Sequence, residues 1–250
     1  MQEILNKIFT WTKQQAFKNI VSTYQNKLYC IVNFTYFAML NRHILEKPNK
    51  KYIEAMKQAH FILPDGIALK LFLKKHNIKI SENLNWTDFT PYLLKNLNWK
   101  VHIGFYTVYD EKIWKKPEDA EKVEKYIQEN FQPAKIFKFV SHYKNRGEDF
   151  DFEKYQESLD WSYDFKIFLV GLWTPFQEIW VNKNLNFFKQ NWILVMNVGG
   201  LFDFWVGFEK RAPKLVRKLN WEWAWRLLQN PKKNWQKVKD SIKLLKYLIK

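Results

Sequence analysis

Residues 165–178 read FKIFLVGLWTPFQE. The apolar run from Phe165 to Leu172, rich in β-branched and aromatic side chains, has the pattern of a strand buried on both faces. Trp173, Thr174 and Pro175 interrupt it, and from Phe176 to Lys189 the apolar spacing turns helical. Strand, turn and helix make half of a βαβ unit. The same pattern recurs outward in both directions. Further short apolar runs lie at Leu28 to Phe34, Phe61 to Leu63, Val101 to Gly104, Ala134 to Val140 and Ile193 to Val198. Helical spacing covers Lys51 to Ala59, Ile67 to Lys75, Pro117 to Asn130 and Phe152 to Leu159. This alternation predicts an α/β fold with a largely parallel sheet flanked by helices. In such sheets ligands bind beyond the carboxyl ends of the strands, which directs attention to Asn33, Asp65, the segment around Tyr143, residues 173–178, and Gly199 to Asp203.

With 250 residues, 47% of them hydrophobic, the chain can bury a core that needs no disulfide staples. Residues 1–210 read as that core and 211–250 as a helical appendage. A net charge of +16 points to an anionic partner: a nucleic acid, an acidic membrane surface or a phosphorylated substrate. Only five of the 41 cations are arginine, which lowers a dedicated nucleic-acid module, and no nucleic acid is expected as partner. The single cysteine, Cys30, excludes an internal disulfide and a multi-cysteine zinc site, so the protein reads as intracellular. The five histidines show no ligand spacing, and no metal or cofactor is expected. No P-loop and no G-x-G-x-x-G is present.

Met1 to Ile20 reads as one amphipathic helix without a signal-peptide core. Trp192 to Phe208 is too interrupted to cross a membrane, and no transmembrane segment is expected. Beyond Pro231 stand seven lysines against one aspartate. Trp235, Val238, Ile242, Leu245 and Ile249 are spaced to line one helix face opposite Lys233, Lys237, Lys243 and Lys250. Two readings fit: a terminal helix docked on the core, or an interfacial helix on anionic lipid.

Pro64, Asp65 and Gly66 place a carboxylate in a strand-to-helix turn on the ligand side. It is either a general base or a turn residue. Asp149 and Asp151 form a D-x-D pair in a polar loop and read as a solvated turn.

The ordered set Asn33, PDG at 64–66, Glu82 to Phe89, VGLWTPFQE at 170–178, VGGLFDF at 198–204, RAP at 211–213 and WEWAWRL at 221–227 closely resembles the TagA/WecG/CpsF-type glycosyltransferases, glycosyltransferase family 26. The resemblance runs from about Asn33 to Pro231. It implies a Rossmann-like fold and an inverting, metal-independent transfer from a UDP-sugar to an undecaprenyl-diphosphate-linked sugar. That places the enzyme peripherally on the cytoplasmic face of the plasma membrane, in the synthesis of teichoic acid or a surface polysaccharide. The sugar implied is N-acetylmannosamine or a relative. Asp65 matches the family's proposed base. Asn33 and Gln177, with Glu178 beside it, match positions for sugar and acceptor. Tyr143 and Asp203, with Gly199 and Gly200, match the uridine side. Asn83, Arg211, Arg226, Lys233 and Lys237 complete the implied binding set, the last three serving the departing diphosphate. A homo-oligomer stays open.

The sequence departs from the pattern at Ile31 (threonine expected), Asn83 (arginine expected) and Phe176 (lysine expected). Glycines are expected where Trp86 and Trp173 stand. Across the chain there are 13 tryptophans and 7 glycines, and five of the tryptophans (86, 99, 192, 221 and 235) follow asparagine. Asn-Gly is a standard turn dipeptide. We read several of these tryptophans, Trp86 and Trp173 first, as glycines in the living protein, encoded by a reassigned UGA. The alternative is true divergence with aromatic filling, in which case Trp173 is expected to crowd the loop that presents Gln177. Two alternatives to an active transferase also remain at this level: a catalytically impaired homologue and a basic nucleic-acid-binding α/β protein.

Overall fold

A computed structural model describes residues 1–110, 116–218, 221–229 and 231–248. All six expected strands form, and every pairing among them is parallel. They are β1 (Cys30–Tyr36), β2 (Phe61–Asp65), β3 (Val101–Tyr109), β4 (Pro133–His142), β5 (Phe165–Gly171) and β6 (Leu194–Asn197), in the order β2-β1-β6-β5-β3-β4. Every residue of β5 is buried, as an unbroken apolar run between two helical layers requires. One core packs Phe168, Trp180, Phe188 and Tyr155 on one side of the sheet; the other packs Phe105, Leu169, Phe202 and Trp205 on the opposite side.

Four strands outrun their expected ends, β2 reaching Asp65 and β4 His142. β1 continues to Tyr36 and β3 to Tyr109, because Thr35, Thr107, Val108 and the two tyrosines all suit a pleated surface. Several helices differ from the sequence reading. The N-terminal stretch is two helices, Gln2–Asn6 and Lys13–Lys27; Thr12 caps the second by a reciprocal capping box with Gln15, and the segment before it bridges from Ile8 to Ile62 at the β2 edge. The expected helix from Phe176 to Lys189 divides at Asn184. A helix at Trp86–Asn96 was not legible, since Pro91 lies inside it.

Connections leave β3 toward β4 and β5 toward β6, so the chain diverges above these neighbouring strands and opens a crevice at their carboxyl ends. The appendage folds back over the carboxyl ends of β1 and β2. It comprises helices Lys214–Lys218, Glu222–Gln229, Pro231–Ile242 and Leu245–Leu248. Asp240 pairs with Arg42, Lys243 with Glu46 at 2.6 Å, and the Tyr247 hydroxyl donates to Asn41 Oδ1 at 3.0 Å. The expected continuous apolar face breaks at Lys243 and Leu244, and it is Leu244, not Leu245, that is buried. The appendage therefore docks on the core while Trp235, Ile242 and Leu245 stay more than half exposed.

Candidate active site

β2 ends on Pro64 and Asp65, with Tyr36 at the end of β1 as register partner of Asp65. Gly66 then takes φ +88° with open space where a Cβ would project, so the turn itself selects glycine. Its N–H donates to Asn83 Oδ1 at 2.8 Å. Asn83 thereby steadies the turn that presents Asp65.

Asp65 lines a cavity of about 440 Å³ between core and appendage. Its polar wall includes Tyr36, Asn83, Arg217, Glu222 and Arg226; its apolar wall includes Leu71, Val238, Ile242 and Leu245. The arginines are held in a chain of ion pairs. Asp88, near the start of the Trp86–Asn96 helix, takes Arg211 at 2.8 Å and Arg217 at 3.3 Å, while Glu222 takes Arg226 at 3.1 Å and Arg211 at 3.7 Å. Burial pushes the Asp65 carboxyl up to about 7; Arg226 pulls it down, Glu222 up, Arg211 down and Asp88 up. A carboxyl so poised can be ionised near neutrality and still bind a proton well, which is what a general base requires.

Beside this cavity lies a buried polar layer. Gln177 Nε2 donates to Glu178 Oε1 at 2.9 Å, and Gln177 Oε1 accepts the Gly199 N–H at 3.1 Å. The Thr174 hydroxyl donates to the same Glu178 oxygen at 2.8 Å. Burial pushes the Glu178 carboxyl up to about 7, against the hydrogen bonds from Gln177, Thr174 and its own backbone N–H, which favour its ionised form. Asn33 is wholly buried; its Oδ1 accepts from Asn197 Nδ2 at 2.6 Å, which ties β1 to β6. Gly200 precedes the Leu201–Trp205 helix, whose Asp203 is also wholly buried.

The structure thus brings Asp65, Asn83 and Arg226 to one cavity, with Arg211 one ion pair behind it. Asn33, Gln177, Glu178, Gly199, Gly200 and Asp203 belong to the strand-end segments alongside. Tyr143 stands over the β3–β5 crevice, its ring 5.3 Å from that of Trp173. The side chains of Lys233 and Lys237 lie outside the described residues. Asp149 accepts from the Tyr106 hydroxyl at 3.1 Å, and Asp151 caps the Phe152–Ser158 helix, so the D-x-D pair serves the fold. Among the described residues no three His, Cys, Asp or Glu side chains gather as a metal site requires.

Trp173 has φ +63° and Trp192 φ +56°, a left-handed conformation that a tryptophan rarely takes. Trp86, by contrast, opens a helix capped by Asn85, where the backbone asks nothing of glycine, and its ring forms part of the cavity wall. The expected crowding by Trp173 does not occur: its ring rests on Tyr143, and Gln177 keeps its hydrogen bonds. Sequence reading overlooked Tyr36, Asp88 and Arg217. Asp88 falls within the quoted 82–89 segment, three residues after its cap Asn85, but only the fold reveals which cations it meets.

A model of the glycosyl transferase WecG/TagA/CpsF family matches residues 3–250, and the chain belongs to that family; it is a glycosyltransferase. It is similar to the N-acetylglucosaminyldiphosphoundecaprenol N-acetyl-beta-D-mannosaminyltransferase of Bacillus spizizenii, with 28% identity over 203 residues, 81% of this chain and 73% of the relative. No helix among the described residues is long and apolar enough to cross a membrane.

Proposed function

We propose that this chain transfers an N-acetylmannosamine-like sugar from a UDP-sugar to a polyprenyl-diphosphate-linked amino sugar, inverting the anomeric centre, in teichoic acid or surface polysaccharide synthesis. Asp65 takes the proton of the acceptor hydroxyl as that oxygen forms its bond to the anomeric carbon and UDP leaves from the opposite face. The observation that carries this reading is one cavity with two kinds of wall. Arginines beside Asp65 suit a diphosphate, and the apolar wall from Val238 to the exposed Ile242 and Leu245 suits the first isoprene units of a lipid acceptor. Because the leaving charge has protein cations near it, the reaction needs no metal. The exposed apolar side chains and lysines of the appendage rest on the inner face of the plasma membrane. The relative's acceptor, a diphosphoundecaprenol-linked N-acetylglucosamine by its name, supports the same reading.

The test is a mass-resolved panel of UDP-sugars with a short-chain lipid-diphosphate acceptor, run with and without a chelator and beside Asp65→Asn. Transfer that survives chelation and is lost in the variant is expected. Equal turnover by the variant removes Asp65 from the chemistry.

A further inference from the structure

The five arginines divide into two kinds. Among the described residues, Arg42, Arg211, Arg217 and Arg226 each pair with a carboxylate. Arg146 pairs with none. Its guanidinium carbon instead lies 3.7 Å from the ring centroid of Tyr143 and 3.7 Å from that of Phe176, so the cation is clamped between two aromatic faces. Its Nη1 donates to the Tyr143 carbonyl at 2.7 Å, which fixes rotation in the plane of the clamp. Its Nε is buried and has no hydrogen-bond partner. The neighbouring acids are turned to other work or to solvent: Asp149 accepts from Tyr106, and Glu148 is exposed.

A guanidinium held rigid through its faces, and left without a counter-charge, keeps its edge available for an anion. The clamp also stands in the right place. Tyr143 follows β4 and Phe176 follows β5, so Arg146 overhangs the crevice where the chain diverges. β2, which ends on Asp65, is three strand positions from β5, about 14 Å at ~4.8 Å per spacing. An elongated ligand such as a nucleotide sugar spans that distance; a single sugar does not.

We propose that Arg146 binds a phosphoryl oxygen of the donor's nucleoside diphosphate, at the end of the site remote from Asp65. The inference rests on the transferase reading above and adds to it a residue outside the appendage cations. The planar fork of an arginine, pre-ordered by stacking, suits two oxygens of one phosphate and loses little freedom on binding.

Titration calorimetry of the full chain with UDP, uridine and inorganic pyrophosphate tests the assignment, using Arg146→Met, Arg146→Lys and the unchanged protein. Thermal melts confirm that each variant is folded, and Arg146→Lys preserves the charge should Arg146→Met fail to fold. Loss of one charge-assisted contact predicts UDP binding weakened about 10- to 100-fold in Arg146→Met, with a smaller loss in Arg146→Lys and uridine binding unchanged. Equal UDP affinity in all three proteins overturns the role of Arg146 and leaves the UDP-sugar reading standing. Pyrophosphate binding that depends on Arg146, without UDP binding, upholds the phosphate site and overturns the uridine donor. Binding of neither ligand by the unchanged protein overturns both.

Discussion

Asp65 and Arg226 come from distant parts of the chain yet line one cavity, and Arg226 is the strongest charge acting on the Asp65 carboxyl. The carboxyl belongs to the sheet, whereas the group that most favours its ionised form belongs to the appendage.

The base role proposed for Asp65 requires its ionised form, so kcat/KM is expected to rise with pH up to about 7 and then level. Asp65→Asn is expected to lower turnover by roughly 10²- to 10⁴-fold with UDP affinity nearly intact. A flat profile between pH 5 and 8 in the unchanged enzyme would contradict this assignment. Stability carries the opposite sign. A carboxyl whose folded value is raised to about 7 favours the protonated native state, and stability falls as pH rises from the unfolded value toward 7. The melting temperature of Asp65→Asn should therefore exceed that of the unchanged chain at pH 8 by more than it does at pH 5.

The cations and acids around Asp65 should move that rising limb in opposite directions. Arg226→Met removes a group that lowers the Asp65 value, so its limb shifts to higher pH; Glu222→Gln removes a group that raises it, so its limb shifts lower. Both profiles can be taken on the same donor and acceptor pair. Shifts of the same sign in the two variants would separate this network from the reaction.

The left-handed tryptophans make a prediction that needs no assay. Trp173→Gly and Trp192→Gly relieve a conformation that costs a non-glycine residue about 1 to 2 kcal/mol, and each is expected to hold or raise the melting temperature despite the lost ring contacts. Trp235→Gly falls inside the Pro231–Ile242 helix and is expected to cost about 1 kcal/mol. Peptide masses of the protein from its native cell should then show glycine at 173 and 192. Tryptophan masses at both sites would end the codon reading.

Membrane attachment should follow the exposed apolar side chains of the appendage. Ile242→Ser with Leu245→Ser is expected to reduce binding to anionic liposomes while leaving the melt unchanged, because both side chains are more than half exposed. Deletion after Pro231 should abolish both liposome binding and transfer, since Val238, Ile242 and Leu245 wall the cavity. A deletion that transfers sugar at the full rate would refute the dual role of this segment.

The sheet was legible because parallel strands buried on both faces write themselves as apolar runs, as Phe165 to Gly171 does. Helix ends were less so. The break at Asn184 and the one at Leu244 lie within periodic apolar spacing, and only packing against the core selects them. At the site, Asp65 was visible because a strand-to-helix turn carries its own short signal in Pro64 and Gly66. The pairing of Asp88 with Arg211 and Arg217 was not, because an ion pair across more than a hundred residues leaves no local pattern. Nor was the stacking of Arg146, which depends on how the segments after β4 and β5 fold toward each other.

The cavity walls include Tyr36, from the end of β1, and Leu245, from the appendage more than two hundred residues further along the chain. The sheet by itself does not enclose this space; the appendage supplies its second wall. Any event that loosens the helices carrying Val238 and Leu245 therefore opens the space around Asp65 to solvent without touching the sheet.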